Sequence, residues 1–352
     1  MRGLVLKAPY QLEVDDVPEP QMADDRVVLE VEACTICGGD LKAYAGQGSV
    51  RTWPRQIKGH EYSGTVIAVG RDVRGFQVGD RVAYVCLPAC GSCYACRTGH
   101  MNYCQAPPPG TSTANMGAGF GERVAFAVAP YGIQSHYRIP DEIDTVAAAL
   151  AEPGTCAIGA VQRGKIQPGD IVAVIGLGGL GQMVAQVATG AGARTIGIDV
   201  QSEKVELAKG WCEWVIHAGE QDVREAVLEV TQGIGADVIF EVVGRPEALE
   251  QAFQLVRLGG RIVIVGVHRS TLPAFDPEWI FRKDVELVGA KGAMPLLTTD
   301  GTPLVFDLMR RGIIQTAPLI STFSLDEAPK AFEAQRTGGV PKAAILPKMA
   351  GR

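Results

Sequence analysis

No stretch of this chain approaches the ~18 uninterrupted apolar residues that a membrane-crossing helix needs. Positive charge is also in short supply. Lys and Arg number 33 against 39 Asp and Glu, a net charge of -6, and that balance disfavours nucleic-acid or anionic-membrane partners. Behind Met1 there is neither an apolar signal core nor a small-residue cleavage site, and Met1–Lys7 reads straight into a strand, so the cytoplasm is the expected location. Internal repeats and low-complexity segments are absent too. What is present is a globular composition, 47% hydrophobic and 20% charged over 352 residues, long enough for about two domains.

The texture changes near Glu152. Before it, short β-like runs such as Arg26–Val31, Ser63–Val69 and Arg81–Val85 are broken by Gly and Pro, as in an irregular β-rich domain. After it, continuous apolar runs (Ile171–Ile175, Thr195–Ile198, Val238–Phe240, Ile262–Val265) alternate with helix-like stretches (Leu180–Ala191, Ser202–Lys209, Asp222–Thr231, Glu247–Leu255). That rhythm predicts an α/β doubly wound parallel sheet with strands buried on both faces. The tail from about Met294 has helix-like pieces and a last strand candidate at Ala343–Pro347. The expected division is residues 1–150 with 295–352, and residues 151–294.

Nine cysteines is an odd number, and four of them crowd together as Cys90, Cys93, Cys96 and Cys104. A local cluster in a long chain points to metal rather than to a disulfide framework. Four thiolates at this spacing can close a tetrahedron around zinc, a structural site with no open position; an iron–sulfur cluster is the rival. A second set is dispersed: Cys37 before Gly38, Gly39 and Asp40; His60 and Glu61 in Gly59-His60-Glu61; and Glu152 before Pro153. None is decisive alone. In combination, one thiolate, one imidazole and one carboxylate form a typical catalytic zinc set with the fourth position left for water or substrate.

The strand candidate Ile171–Ile175 runs into Gly176-Leu177-Gly178-Gly179-Leu180-Gly181 and then a helix. Strand, glycine loop and helix in that order form the context that makes such a fingerprint a dinucleotide site. Gly176 permits the tight turn, Gly178 lets a pyrophosphate approach, and Gly181 packs the helix on the strand. Asp199, ending the next strand, suits the ribose hydroxyls of NAD and disfavours the 2′-phosphate of NADP; Lys204 is a candidate for the same ribose.

Together these motifs make the chain resemble the zinc-containing medium-chain alcohol dehydrogenase family, nearest its polyol and threonine dehydrogenase branch, nearly end to end. The resemblance implies a chaperonin-10-like β-rich catalytic domain with a Rossmann domain inserted, two zinc ions and one NAD per chain, and homodimers or homotetramers. It implies Cys37, His60 and Glu152 as catalytic zinc ligands, Glu61 as a ligand or exchanging neighbour, and Asp40 as the carboxylate that orients the histidine. Val243, Gly266 and Val267, with Ala290, are expected to border the nicotinamide. Cys156 and His136 read as packing, Lys291 as facing the cleft or a neighbouring subunit. His100, His217 and His268 receive no role. Two departures stand out. Where the family carries a relay Ser or Thr, this chain has Gly39, and five residues after Cys37 it has Lys42, so the usual proton path is missing its first hydroxyl. The segment from Ala106 to Tyr137 is also unusually long and reads as a lid or an oligomer contact. The expected activity is hydride transfer from a secondary alcohol (polyol, cyclitol, sugar or amino alcohol) to NAD. The alternatives are a redox-neutral epimerase or rearranging enzyme with retained NAD, a zinc-free NADPH enone or quinone reductase, and a non-enzymatic redox sensor.

Overall fold

Period-2 burial organises the β-rich part of the chain. In the computed structural model, which describes residues 1–47, 53–106, 119–128, 134–268, 276–292 and 296–349, the strand Arg26–Thr35 buries Val27, Leu29, Val31 and Ala33 completely, as one face of a pleated strand should. It is the centre of a seven-stranded sheet. Its neighbours are Glu61–Val69 and Lys342–Leu346, both antiparallel to it, and Arg123–Ala127 also pairs with it. The sheet continues outward through Arg81–Tyr84 to His136–Arg138 on one side and Ile320–Ser324 on the other. A smaller three-stranded sheet orders Gln11–Asp16, Arg2–Ala8 and Arg55–Gln56.

The second architecture follows from the continuous apolar runs. Six parallel strands lie in the order Trp214–His217, Arg194–Asp199, Ile171–Ile175, Ala236–Glu241, Val256–Ile264, Glu286–Gly289. This is the doubly wound order whose reversal, between Ile171–Ile175 and Ala236–Glu241, opens the crevice where such sheets bind dinucleotides. The helix Gly179–Gly190 that follows the strand Ile171–Ile175 is apolar on nearly every side and correspondingly buried. Its two buried glutamines are satisfied: Gln182 donates to Lys204 O (2.9 Å) and accepts from Trp211 Nε1 (3.1 Å), while Gln186 accepts from the Gln315 amide (2.8 Å).

The chain forms two compact units. One comprises Met1–Thr155, Ala293–Arg310 and Leu319–Arg352; the other comprises Cys156–Gly292 and Arg311–Pro318. Both expected boundaries shift. Glu152 falls with the β-rich unit, and residues 311–318 return to the parallel sheet, held by Gln186 and by Ile313 against Gly190. Sequence texture could not show this return, because an eight-residue loop carries no periodicity of its own.

His136 is buried in its short strand, with Nε2 2.8 Å from the Tyr62 hydroxyl and Nδ1 2.7 Å from Ser135 Oγ. Its ring stacks on Phe126, and burial pulls its pKa down to about 3. In the unfolded chain the imidazole protonates near ~6.5. Stability is therefore fully present above that value and is lost as pH falls toward 3, at ~1.4 kcal/mol per pH unit from this group. The variant His136→Gln should show a flatter dependence of unfolding free energy on pH across the acid limb, measured by urea denaturation. An unaltered slope would mean that another group carries the acid sensitivity.

Candidate active site

Cys37 lies two residues beyond the strand Arg26–Thr35 and caps the helix Gly38–Tyr44. Its backbone is extended (φ −81°, ψ 153°), its Sγ accepts from the Gly39 amide at 3.4 Å, and Asp40 Oδ2 accepts from its own amide at 2.9 Å. This reciprocal cap locks the thiol in place. His60 is delivered by Gly59, which has a positive φ of +62° and no room for a side chain, since a Cβ would lie 2.7 Å from Cys34 Sγ and 2.8 Å from Phe120. The next residue, Glu61, opens the strand Glu61–Val69 directly opposite Thr35. Two neighbouring strand ends thus bring one sulfur, one imidazole nitrogen and one carboxylate oxygen within 4.8 Å of one another.

The electrostatics are those of a site built for a cation. Burial pushes the Cys37 thiol up, and Glu61 adds to this. Burial likewise raises the carboxyl of Asp40, partly offset by His60. For His60, burial acts downward but is outweighed by the Cys37 hydrogen bond and by the charges of Asp40 and Glu152, leaving it well above the ordinary imidazole value. A divalent metal would satisfy the whole set at once by taking the place of these protons, and thiolate, imidazole and carboxylate are zinc donors.

Several expected residues are placed differently from the sequence reading. Glu152 lies in the first turn of the helix Ala151–Gly164, partly buried, and its charge acts on His60; it stands outside the group of three mutually close donors, which contains Glu61 instead. The orientation of a helix decides which side chain of its first turn faces Cys37 and His60, and an Ala-Glu-Pro-Gly string does not carry that orientation. Asp40 hydrogen-bonds the Cys37 amide and reaches His60 through charge. Lys42 is half-buried on the Gly38–Tyr44 helix. At Gly39 a Cβ would meet only Cys37 Sγ, at 3.8 Å, so the helix leaves space where a hydroxyl is expected. Of the segment from Ala106 to Tyr137, residues 107–118 and 129–133, which include Met116 and Tyr131, lie outside the described residues.

Two participants were invisible in the sequence. Lys342, at the start of the C-terminal strand, is 4% exposed and forms a short ion pair with Glu61 Oε2, while also donating to Ile36 O at 2.8 Å. Thr35 donates its hydroxyl to the same Glu61 oxygen. Nothing in Val340-Pro341-Lys342 distinguishes such a lysine from a solvated one.

In the four-cysteine lobe the sulfurs of Cys90 and Cys96 are 3.9 Å apart, those of Cys93 and Cys96 3.5 Å, and those of Cys93 and Cys104 4.0 Å. A disulfide would need about 2.05 Å. Four thiolates at about 2.3 Å from one tetrahedral zinc stand about 3.8 Å apart, whereas a four-iron cluster spreads them over four metals. Hydrogen bonds from Ser92 draw the Cys90 thiol down to about 5, while burial and Cys93 push Cys96 up to about 12. A metal ion in the lobe would offset the burial that holds the Cys96 thiol up.

The glycine loop has the geometry of a dinucleotide cradle. Gly176 has φ +94°, and a Cβ there would strike Val243; a Cβ on Gly181 would lie 1.8 Å from Gly176 O; beside Gly178 there is open space. Gly178 caps the helix, with Gly179 buried and Leu180 half-buried in its first turn. Asp199 is held by three amides, Leu177 N on Oδ2 (2.7 Å) and Val200 and Gln201 N on Oδ1 (2.8 and 3.0 Å). Lys204 stands half-buried on the helix Ser202–Ala208. At the carboxyl edge of the sheet Val243 and Val267 are exposed, and a Cβ on Gly266 would collide with Gly244 N at 2.1 Å. His268, assigned no role from sequence, bonds the fully buried Glu241 at 2.8 Å, and Glu241 also accepts from the amides of Val243 and Gly244 (2.9 and 2.6 Å). Lys291 is exposed. No described helix is long and apolar enough to cross a membrane.

Comparison with known proteins agrees with this geometry. Residues 23–141 match the alcohol dehydrogenase GroES-like domain and residues 179–305 the zinc-binding dehydrogenase domain. A sorbitol dehydrogenase of Halalkalibacterium halodurans is 30% identical over 341 residues, covering 95% of each chain. An L-threonine 3-dehydrogenase of Pyrococcus abyssi is 33% identical over 349 residues, covering 97% of each. Among solved structures, 2R,3R-butanediol dehydrogenase from Bacillus subtilis superposes with a TM-score of 0.82 at 28% identity, covering 99% of each chain.

If the lobe holds zinc, Cys93→Ser should lower the metal content from about two ions per chain to about one and reduce the thermal midpoint, read by plasma emission spectrometry and calorimetry. A single ion per chain in both the wild type and the variant would exclude a lobe metal.

Proposed function

The chain belongs to the zinc-containing medium-chain alcohol dehydrogenase family, and from that premise we propose that it oxidises the secondary alcohol of a polyol, cyclitol, sugar or amino alcohol, with NAD as the hydride acceptor. The observation that carries this reading is the meeting of Cys37, His60 and Glu61 donor atoms within 4.8 Å. Cys37 and His60 would hold the catalytic zinc, with Glu61 and Glu152 as the carboxylates that complete or exchange in its shell. A zinc held there would supply Lewis acidity, which lowers the pKa of a hydroxyl brought to it. A dinucleotide held at Gly176, Gly178, Gly181 and Asp199 would supply the hydride acceptor, so that alcohol and NAD would become carbonyl and NADH with one proton released to solvent. Cys90, Cys93, Cys96 and Cys104 would hold a second zinc that takes no part in the chemistry.

The residues of the second unit support NAD. Gly176, Gly178 and Gly181 leave backbone amides at the N-terminus of a helix open to a pyrophosphate, and the Asp199 carboxylate, fixed by three amides, would meet a 2′-phosphate with like charge. The Glu241 contacts to Val243, Gly244 and His268 brace the two loops proposed to border the nicotinamide. We further propose a cytoplasmic homodimer or homotetramer, on the family resemblance.

A panel of polyols, cyclitols, sugars and amino alcohols, each offered with NAD and with NADP, tests the reading at the reduced-nicotinamide absorbance. At least one secondary alcohol should turn over with NAD and poorly with NADP; bound dinucleotide with no net reduction by any alcohol would instead favour a redox-neutral enzyme. A second variant addresses the missing hydroxyl. Because a side chain at position 39 would make only an ordinary contact with Cys37 Sγ, Gly39→Ser should fold normally, shift the pH–rate profile and weaken binding of a bulky substrate. A gain of rate on the best substrate would show that Gly39 does not serve to make room.

A further inference from the structure

His268 takes no part in the reaction as described, yet it meets a carboxylate that is completely buried. The strands Ala236–Glu241 and Val256–Ile264 run parallel and end at the same level, Glu241 opposite Ile264. Two loops leave them side by side, and Glu241 serves both. Its carbonyl accepts from the amides of Val265 and Gly266, each at 2.8 Å. Its Oε1 accepts from the amides of Val243 and Gly244, at 2.9 and 2.6 Å, and its Oε2 accepts from His268 Nε2 at 2.8 Å. A carboxylate kept from water must have its oxygens satisfied, and here the donors come from the two loops.

These bonds are not equivalent. Four of them reach no further than Gly244 in the first loop and Gly266 in the second; of the five, the His268 bond alone holds the chain beyond Gly266. Val267, 60% exposed, lies between those two points, with its backbone against Gly244, where a Cβ would stand 2.8 Å from both Val267 N and Val267 O. Val243, 41% exposed, stands beside the glycine loop, since a Cβ on Gly176 would lie 2.7 Å from Val243 Cγ2. Apolar side chains left exposed on a tightly held backbone are groups that a flat ring can cover. We infer that His268 is a positioning residue: by tying the far end of the second loop to Glu241 it sets Val267 for the nicotinamide ring, and it governs affinity for that half of the dinucleotide alone. The adenosine half depends on the glycine loop and on Asp199, whose three amide bonds share no atom with Glu241. Without the imidazole, Glu241 keeps its amides, Val267 loses its anchor on the C-terminal side, and the ring has to order the loop as it binds. The other ring nitrogen, Nδ1, is buried with no partner among the described residues, so a side chain that offers only the donor to Glu241 can replace the histidine.

This inference rests on the NAD reading given above, and the two fail in different ways. Binding to the purified zinc-loaded protein is measured for NADH, by its own fluorescence, and for ADP, by calorimetry; ADP carries adenosine and pyrophosphate but no nicotinamide. Wild type that binds neither would sink the NAD reading itself. In His268→Ala the Kd for NADH should rise at least about tenfold, as for loss of one hydrogen bond to a charged group, while the Kd for ADP stays within about twofold of wild type. The KM for NAD should rise more than kcat falls. His268→Gln, whose amide N–H can reach Glu241, should bring NADH binding back to within about threefold of wild type. A merely structural histidine predicts instead that NADH and ADP weaken together and that Gln does not separate them. If His268→Ala does not fold, His268→Leu fills the space of the ring without a donor, and the same split between NADH and ADP is required of it. Equal weakening of both ligands in the folded variant, or weakening of neither, overturns the inference.

Discussion

Charge compensation in a dry place is the constraint on which the metal-binding corner depends. Cys37, Asp40, Glu61 and Glu152 all act on one another or on His60, and burial raises the thiol of Cys37 and the carboxyl of Asp40 above their usual values. Several anions cannot share a desolvated volume unless cations stand among them. The protein itself supplies Lys342 and a readily protonated His60. A bound dication would supply the rest and release the imidazole to be a neutral donor. The strands around the corner can be read as the solution to this problem: the seven-stranded sheet puts Thr35, Glu61 and Lys342 in register, so that the charges meet on adjacent backbone positions rather than on flexible loops.

The nucleotide unit solves a different problem, that of bringing backbone close to a ligand. Here the controlling distances are steric: 1.8 Å for a Cβ at Gly181, 2.1 Å for one at Gly266. No side chain other than hydrogen is compatible with either. Asp199 and Glu241 then use their carboxylates on loop amides at the ends of the two strands that flank Ile171–Ile175, so both loops are shaped before any ligand arrives, which lowers the ordering cost of binding.

What was legible in the sequence was legible because it was local. The four cysteines, the glycine loop with Asp199, and the pairs Cys37 with Asp40 and His60 with Glu61 each sit within a short span whose spacing carries the geometry. The parallel sheet announced itself through continuous apolar runs. The rest depends on register between distant segments. Lys342 lies 281 positions from Glu61, and a lysine opening a strand has the same local signature whether it faces water or a carboxylate. Glu241 and His268 meet because two parallel strands end at the same level, and no spacing rule would pair them. Glu152 acts on His60 by charge, but which carboxylate stands nearest Cys37 and His60 depends on helix orientation and not on order in the chain.

The return of residues 311–318 to the parallel-sheet unit has a consequence for how these units can be exchanged. Gln186 is buried in the helix that follows the glycine loop, and it is Gln315 that satisfies both ends of its amide, at 2.8 and 3.3 Å. A gene fragment cut at the end of the sheet, after Gly289, would leave that amide with two orphaned groups and uncover the helix at Gly190. In modular terms the dinucleotide unit is not a cassette with one entrance and one exit. It is sealed by a clasp encoded downstream, and a chimera that swaps the sheet between relatives without carrying the clasp along would inherit a mismatched seam.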